Sequence, residues 1–371
     1  MSLKRPWEII KAEAVLILAA LAAIVSMLFV PPDVQYLEYV DPKVLSLLLS
    51  LMTVVAGFQD AGLFDALAQW MIRGAGSIRK LTLSLVFLCF FSSMLITNDV
   101  ALITFVPFTL LVLGFADAKK LIYVVVLETI AANPGSSLTP MGNPQNLFLY
   151  AHYSLSAGQF MHVTLPFVAL SALLLLVLCV IPTNKAVTVS FAKQVAFRDS
   201  KRPYLYAILF AVSIAGVLGV LSHWIVLGVV LLSVAIAKPR LLARVDYSLL
   251  ITFVCFFIFV GNVGRIESIQ KLTSGLIAGR ELLFSAALSQ LISNVPAAVM
   301  LSAFTDQSAA LIAGTNIGGL GTLIASLASL ISFKYYNKYD NARPGLYLIV
   351  FTVLNVVFLA VLLPAALLIN R

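Results

Sequence analysis

Two short polar motifs interrupt apolar stretches of this sequence. Residues 95–102 read Leu-Ile-Thr-Asn-Asp-Val-Ala-Leu, and residues 292–296 read Ile-Ser-Asn-Val-Pro. The apolar stretches around them run from about residue 81 to 114 and from about 281 to 304. Within hydrocarbon an unpaired backbone N–H or C=O costs several kcal/mol. We therefore expect each motif to be the tip of a re-entrant hairpin that enters and leaves the membrane on one side.

The composition places this chain in a membrane. Of its 371 residues, 61% are hydrophobic and only 11% are charged, and the mean hydropathy is +1.04. Apolar runs at 15–30, 165–181 and 346–369 approach the roughly 20 residues that a helix needs to cross a hydrocarbon core about 30 Å thick. We predict an all-α, polytopic membrane protein. Residues 1–40 contribute its first transmembrane helix, which is retained because no small-residue cleavage site follows it.

The net charge of +8 could indicate nucleic-acid binding, but the distribution of the basic residues has a simpler explanation. With an internal N-terminus and two re-entrant hairpins, five of the 24 lysines and arginines lie outside the cell and the other 19 lie in the cytoplasm. This is the positive-inside bias of an inserted helical protein. We therefore predict a multi-pass protein of the cell membrane with a cytoplasmic N-terminus and no nucleic-acid partner. The five external residues are Lys43, Arg265, Lys271, Arg280 and Arg371.

The sequence passes through the same series of features twice. An aspartate begins an apolar span that ends in glycines, an amphipathic stretch and a hairpin follow, and a broken span comes last, at residues 132–146 and again at 314–322. Three spans separate the two units, near residues 163–181, 203–221 and 224–237. An odd number of crossings reverses the second unit, so we predict inverted repeats. The predicted division is 1–40, a first repeat at 41–162, connecting helices at 163–245 with a cytoplasmic linker at 182–202, and a second repeat at 246–371.

Irregular backbone at membrane depth normally lines a cavity, because hydrocarbon offers it no hydrogen-bonding partner. Half-helix N-termini present free N–H groups and a positive dipole end to anions, while unwound carbonyls coordinate cations. The two hairpin tips and the two broken spans should therefore meet near the middle of the membrane. The alternative for any single Asn or Ser among them is that it caps a half-helix in a tight turn. Four coordinated breaks favour a functional site.

The hairpin motif at 95–102 and the sequence Leu-Thr-Pro-Met-Gly-Asn-Pro-Gln-Asn at 138–146 resemble the citrate-transporter-like and arsenite-permease branch of the ion transporter superfamily. The motif at 292–296 and the glycine-rich residues 314–322 resemble the second hairpin and partner loop of that superfamily. The resemblance covers about residue 41 to the C-terminus. It implies a homodimer with an elevator mechanism, in which the hairpins and broken helices move as a unit against the other spans.

The resemblance also implies which residues bind solutes. Asn98 and Asn294 would touch the substrate. The other substrate-binding residues would be Thr97, Asp99, Gly135, Ser136, Asn143, Ser293 and Thr315. A Na⁺ site would lie near each tip, the first made by Ser93, Thr97, Asn98 and the backbone of Gly135, and the second by Ser289, Ser293, Asn294 and Asn316 in a turn at 314–316. Such hydroxyl and amide oxygens suit a partly dehydrated Na⁺, and they equally suit neutral capping.

Two acidic residues are candidates for coupling. The resemblance implies a hydroxyl residue at position 99 in carboxylate transporters and an Asn-Asp pair in arsenite permeases, so Asp99 disfavours a dianionic substrate. An ionisable residue inside a membrane costs at least ~2.5–3.5 kcal/mol on insertion scales and is functional by default. The alternative for Asp99 is a buried, hydrogen-bonded carboxyl. Glu128 would either face the same cavity or pair with Lys119 or Lys120 near the end of its helix.

No enzyme motif supports a catalytic function. The sequence lacks His-Glu-x-x-His, Gly-x-Ser-x-Gly and a phosphate-binding loop, and it has only three histidines. We predict a secondary active transporter that needs no cofactor and moves a small anion or an oxyacid such as arsenite, coupled to H⁺ or Na⁺. The alternative is a Na⁺/H⁺ antiporter of the same superfamily, since Asp99 also suits a cation.

Overall fold

The computed structural model describes residues 13–72, 76–114, 117–181 and 202–369, and these ranges are almost entirely helical. The first part comprises α1 (Ala14–Met27), α2 (Tyr36–Tyr39), α3 (Pro42–Ala61), α4 (Leu63–Ile72), α5 (Ile78–Ile96), α6 (Asn98–Leu113), α7 (Ala118–Ser136), α8 (Pro144–His152) and α9 (Ala157–Val180). The second comprises α10 (Arg202–Val217), α11 (His223–Ala237), a 3-10 helix (Pro239–Arg244), α12 (Tyr247–Gly264), α13 (Glu267–Ile277), α14 (Glu281–Ile292), α15 (Asn294–Ser302), α16 (Ser308–Gly318), α17 (Leu327–Asn337) and α18 (Pro344–Ile369).

Several of these helices can span a membrane. Within the described ranges, α3, α5, α9, α12 and α18 are long and apolar enough, and the pair α13 and α14, bent by 110°, makes a sixth span if it is counted as one. The shorter apolar helices α1, α10 and α11 pack against α12 and α3. The predicted all-α polytopic membrane protein is confirmed. Residues 1–12, residues 182–201 of the predicted linker, and Arg371 lie outside the described residues.

The helices follow one order twice. α3 to α8 comprise a long helix, a short helix, two hairpin legs, a buried helix and a further short helix, and α12 to α17 comprise the same series. Both long helices begin at an aspartate. The carboxylate of Asp41 accepts the backbone N–H of Lys43 (2.8 Å) and Val44, and that of Asp246 accepts the N–H of Leu249 (3.1 Å). Such caps satisfy free N–H groups of the first turn. The inversion of the second unit stays a prediction.

Each predicted hairpin is a pair of helices joined by one residue. In the first, Thr97 separates α5 from α6, and in the second, Ser293 separates α14 from α15. The legs of each hairpin pack against each other. The first leg of the first hairpin, α5, has 19 residues, and the first leg of the second hairpin, α14, has 12, so the two hairpins differ in length. Their re-entrant course stays a prediction.

Glycines let the broken helices lie directly on the hairpins. α7 packs along α5, and α16 packs along α14. A Cβ atom on Gly135 would lie 2.2 Å from the carbonyl oxygen of Phe90, and one on Gly314 would lie 2.4 Å from that of Leu282. No Cβ fits at such distances, so only glycine allows this approach. Closer to the tips, a Cβ on Gly135 would lie 2.5 Å from Ser93 Oγ and one on Gly318 would lie 3.0 Å from Ser289 Cβ. Ser93 and Ser289 each lie four residues before a hairpin tip, so the C-terminal ends of α7 and α16 lie about one helical turn from the tips.

Two segments differ from their predicted bounds. The span predicted near 163–181 is α9, which begins earlier because Ser156 and Gln159 form a capping box that starts the helix. The second broken span, predicted at 314–322, remains helical to Gly318, and its irregular residues are 319–326. The turn predicted at 314–316 is therefore wrong. Its glycine serves close helix packing within α16 and does not break the helix.

Candidate functional site

The two hairpin tips share one unusual backbone conformation. Thr97 has φ 69° and ψ 148°, and Ser293 has φ 78° and ψ 154°. This region normally admits only glycine and costs on the order of 1–3 kcal/mol for other residues. A β-branched threonine makes the first tip the more demanding of the two. Because both units contain the same strained residue between their legs, the conformation is a repeated feature of the fold and orients the first N–H groups of α6 and α15.

Each tip is fixed by a hydrogen bond to the irregular segment of its own unit. The backbone N–H of Asn98 donates to the carbonyl oxygen of Gly142 over 3.1 Å, and the N–H of Asn294 donates to that of Ala325 over 3.0 Å. Thus the first tip contacts the segment between α7 and α8, and the second tip contacts the segment between α16 and α17. The two contacts are equivalent in the two units.

Side chains then connect the two units. The amide nitrogen of Asn98 donates to Asn133 Oδ1 (3.1 Å), and the hydroxyl of Ser326 donates to the same oxygen (2.9 Å). The four breaks therefore meet, as predicted. Asn133 and Ser326 were not predicted as site residues. The sequence signal for Asn133 was its place in the broken span, and the signal for Ser326 was its place before the helix that follows the second break.

A second set of asparagines makes the same connection. The amide of Asn143 donates to Asn316 Oδ1 (3.1 Å), and the amide of Asn316 donates to Asn146 Oδ1 (2.6 Å). Asn143 also caps α8 by accepting the N–H of Asn146. All three side chains are buried. Asn143 and Asn316, which were predicted to bind substrate and cation respectively, thus hold the two units together.

A cavity of about 380 Å³ reaches the first tip. Thr97, Asp99 and Asn143 line its inner part, and Asp99 is partly exposed to it. Gln59 also lines the cavity. The remaining charged residues of the lining are Arg244, Asp246 and Lys334, of which none was predicted as a site residue. Arg244 and Lys334 entered the sequence argument only as basic residues of cytoplasmic loops.

The second tip borders a separate, much smaller gap. A gap of about 10 Å³ is lined by Asn98, Asp99, Asn294 and Ser326, together with Val295, which follows Asn294 as Asp99 follows Asn98. The gap is too small for a solute larger than a single water molecule. Asp99 borders both the cavity and the gap. The site is therefore asymmetric, with an acid at one tip and an aliphatic side chain at the other.

A bridged aspartate lies beside the basic end of the cavity. Asp60, whose side chain is 5% exposed, accepts a bond from Arg244 over 3.0 Å and forms a second ion pair with Lys238. Asp60 belongs to α3, and the two basic residues flank or belong to the 3-10 helix. The pairs hold the Arg244 guanidinium, which is 59% exposed, at the cavity lining.

The predicted cation residues lie close together but are engaged with the backbone. The hydroxyl of Ser93 donates to Phe90 O (2.9 Å), and that of Ser289 donates to Ser285 O (2.7 Å). Ser93 lies against Gly135, since a Cβ on that glycine would be 2.5 Å from Ser93 Oγ. Ser93 and Gly135 of the first predicted set are thus in contact, and the cation site itself stays a prediction. Its oxygens are of the hydroxyl and carbonyl type that suits Na⁺.

Six of the predicted substrate-binding residues do not line the cavity. Asn98 and Asn294 line the narrow gap, and Ser293, Thr315, Ser136 and Gly135 line neither space. Thr315 lies inside α16, and its hydroxyl donates to Leu311 O (2.8 Å), so a role in substrate contact is not supported. Ser136 is fully buried, donates to Asn133 O (2.7 Å) and accepts the amide of Asn143. The backbone of Gly135 faces the hairpin. Ser136 and Gly135 support the loop of the first unit.

Glu128 occupies neither of its predicted positions. It lies in the middle of α7, fully buried and away from the cavity lining, and its Oε1 accepts the hydroxyl of Thr109 on α6 over 2.5 Å. Lys119 and Lys120 are eight to nine residues earlier, about 12 Å along the helix axis. A pair with either lysine is therefore wrong. Helical spacing alone could not show that this face of α7 is covered by the second leg of the hairpin.

Comparison with known proteins agrees with this architecture. The model of a family described as citrate transporter matches residues 6–314. An uncharacterized transporter of Methanocaldococcus jannaschii is 30% identical over 337 residues, which are 90% of this chain and 91% of that protein. The inner membrane protein YbiR of Escherichia coli is 30% identical over 305 residues, 80% of this chain and 81% of that protein. A silicon efflux transporter of Oryza sativa is 29% identical over 150 residues, 40% of this chain and 30% of that protein.

Proposed function

This chain belongs to the citrate transporter family, and we propose that it is a secondary active transporter that moves a small anion or oxyacid across the cytoplasmic membrane, coupled to H⁺ or Na⁺. As a family member with transporters among its relatives, it is a multi-pass membrane transporter and not an enzyme. The observation that supports the proposal is the meeting of the two hairpin tips at a gap lined by Asn98, Asp99 and Asn294, where Asp99 also borders the cavity.

The chemistry of the inner cavity favours a small neutral oxyacid over a multiply charged organic acid. Such an oxyacid offers several O–H donors, and Asp99 and the amide oxygens near it accept hydrogen bonds. A di- or tricarboxylate would meet the like charge of Asp99 in a space of low dielectric, where repulsion is strong. The rice relative is named as a silicon efflux transporter, and silicic acid is a neutral oxyacid. Arg244 and Lys334 at the cavity lining would attract an anion, so small anions remain within the proposal.

An elevator mechanism is supported by the bonds between the units. Asn98, Asn133 and Ser326 form one chain of hydrogen bonds, and Asn143 and Asn316 form another pair. These bonds tie both tips and both broken helices into one body, which would move against the remaining spans. With Arg244 and Lys334 on the cytoplasmic side, as the positive-inside rule assigns them, the conformation described here is open to the cytoplasm. A homodimeric scaffold belongs to the same proposal.

A Na⁺/H⁺ antiporter is the second candidate, because the side chain of Asp99 forms no hydrogen bond or ion pair with the other described residues and borders the cavity. Such a free carboxylate could bind a cation in exchange for protons. Proteoliposomes separate the two functions. Na⁺-driven pH change with no oxyacid or anion present supports the antiporter and contradicts the leading proposal.

A stability screen followed by uptake tests the leading proposal. A solute that binds only the folded state raises the apparent melting temperature by mass action. We expect silicic acid or arsenite, rather than citrate, to stabilise the purified protein, with Asn98→Ala abolishing the effect. The same three probes are then offered to proteoliposomes under an H⁺ or Na⁺ gradient. Absence of gradient-driven uptake of any small anion or oxyacid contradicts the proposal.

A further inference from the structure

Glu128 is a buried carboxyl that the substrate cavity does not use. It is completely shielded from solvent in the middle of α7. Its Oε1 accepts one bond from Thr109, and its Oε2 has no hydrogen-bond partner among the described residues. A lone buried carboxylate ion would cost several kcal/mol more than a neutral acid, because nothing replaces its hydration. A neutral carboxylic acid loses less than a carboxylate ion when one of its oxygens has no partner, so this environment favours the protonated form.

Among the described residues, no positive charge interacts with Glu128. Cys89 of α5 and Tyr347 of α18 interact electrostatically with it. α17 contributes Tyr336, which stacks on Tyr347. Thiols and phenols are neutral at physiological pH and cannot compensate a carboxylate.

A cluster of hydroxyl groups lies next to this carboxyl. Thr129, the residue after Glu128, is 2.6 Å from the hydroxyl of Ser332, which is 3.2 Å from that of Tyr347. Tyr347 stacks on Tyr336, whose hydroxyl accepts the backbone N–H of Arg343. The hydrogen-bonded part of the cluster runs from Thr129 through Ser332 to Tyr347 in the first turn of α18, and Tyr336 joins it only by ring stacking. Hydroxyls both donate and accept, so the hydrogen-bonded part can pass protons toward the turn between α17 and α18.

We propose that Glu128 is a proton-binding site separate from the substrate cavity, and that it exchanges its proton with the side of the membrane on which the turn between α17 and α18 lies. Proton uptake from water forms the O–H bond at Oε2 and removes the negative charge, and release to water reverses both changes. The coupling role rests on the proposed transport function. Asp99 then contacts the solute, while Glu128 sets the charge of the moving body.

Infrared difference spectroscopy on the protein in lipid vesicles tests the site without any substrate. At neutral pH we expect the C=O band of a protonated carboxyl, lost in Glu128→Gln and retained in Asp99→Asn and in Glu267→Gln, the same change at a glutamate of the surface helix α13. The band should decrease as the pH is raised. A band that persists in Glu128→Gln, or that does not change with pH while the protein stays folded, overturns the proposal.

Two further measurements test the proton site if Glu128→Gln does not fold, and test its role in transport. If Glu128→Gln does not fold, Thr109→Val removes the donor to Oε1 at nearly constant volume and should shift the band, and an unshifted band contradicts the assignment. In proteoliposomes with silicic acid, arsenite and citrate as probes, Glu128→Gln should lose all acceleration by a pH gradient but keep exchange at equal pH. Retained acceleration refutes the coupling role. If the wild type moves none of the probes, the transport proposal fails, while the spectroscopic titration still decides the proton site.

Discussion

Asn316→Ala should loosen the connection between the two units. Asn316 makes two hydrogen bonds to the opposite unit, donating to Asn146 Oδ1 over 2.6 Å and accepting from Asn143 over 3.1 Å. Interhelical hydrogen bonds inside membranes contribute about 0.6 kcal/mol on average and up to about 1.7 kcal/mol. Two of them give a loss of roughly 1–3 kcal/mol.

The size of this loss of stability depends on which hydrogen-bond partners Asn143 and Asn146 keep. Asn143 keeps a second acceptor, the hydroxyl of Ser136 at 3.1 Å. Asn146 Oδ1 loses the only partner that the described residues give it, and a buried acceptor left without a donor is costly. We therefore expect Asn316→Ala to lie in the upper half of the range. The double variant with Asn143→Ala should cost less than the sum of the two single variants, because both single changes remove the same bond.

Thermal unfolding in detergent measures the loss of stability, and uptake in proteoliposomes measures the effect on transport. The matched control is Asn337→Ala, at an exposed asparagine in the last turn of α17, which should leave both unchanged. Asn316→Ala should lower the melting temperature and reduce uptake, because the two tips no longer move as one body. A melting temperature and an uptake rate equal to those of the control would refute the reasoning, and strictly additive effects of Asn143→Ala and Asn316→Ala would show that the bond contributes nothing.

Four other changes probe the site and the helix packing beside it. Asn98→Ala and Asn294→Ala should each abolish uptake while the protein still inserts and purifies as a folded species, since each side chain lines the space between the tips; unchanged uptake in both would contradict the site. Asp99→Asn should alter the pH dependence or the coupling ion of uptake, measured with imposed H⁺ and Na⁺ gradients, and an identical response would remove Asp99 from coupling. Gly135→Ala should destabilise the protein by about 1–3 kcal/mol through overpacking against the first hairpin, whereas Gly228→Ala, where nothing lies within 4 Å of the added carbon, should not.

Much of the fold could be predicted because the membrane limits what polar residues can do. Thr97 and Ser293 lie within apolar stretches, and a polar break at that depth must be buried in protein. The structure places both in the same strained turn, with the legs close to the predicted bounds. The helix before the second break was predicted to end too early, because a glycine in sequence can either break a helix or allow close packing. Gly314 resembles a helix breaker in sequence, but it serves a backbone contact of α16.

The candidate site was predictable at the tips and less so beyond them. Asn98, Asp99 and Asn294 belong to the motifs and lie where the two units meet. Arg244 and Lys334 belong to other segments and reach the cavity only through the packing of the 3-10 helix and α17. The sequence also could not show that Asp99 and Glu128 lie in different environments. Both are acids within apolar sequence, and only the position of the hairpin leg shows that one borders a cavity and the other is sealed.

The two units repeat one backbone but divide its functions. Each tip has a residue in the same strained conformation, Thr97 or Ser293, and the backbone N–H that follows it donates to a carbonyl of the neighbouring loop. The position after the tip asparagine is Asp99 in one unit and Val295 in the other, and only the acid reaches the large cavity. The repeated backbone places a similar hairpin tip on each side of the gap, while only the first tip carries an acidic side chain. Under the proposed function, a solute bound at the first tip would meet an acid there and none at the second tip, which suits a small oxyacid better than a symmetric dicarboxylate.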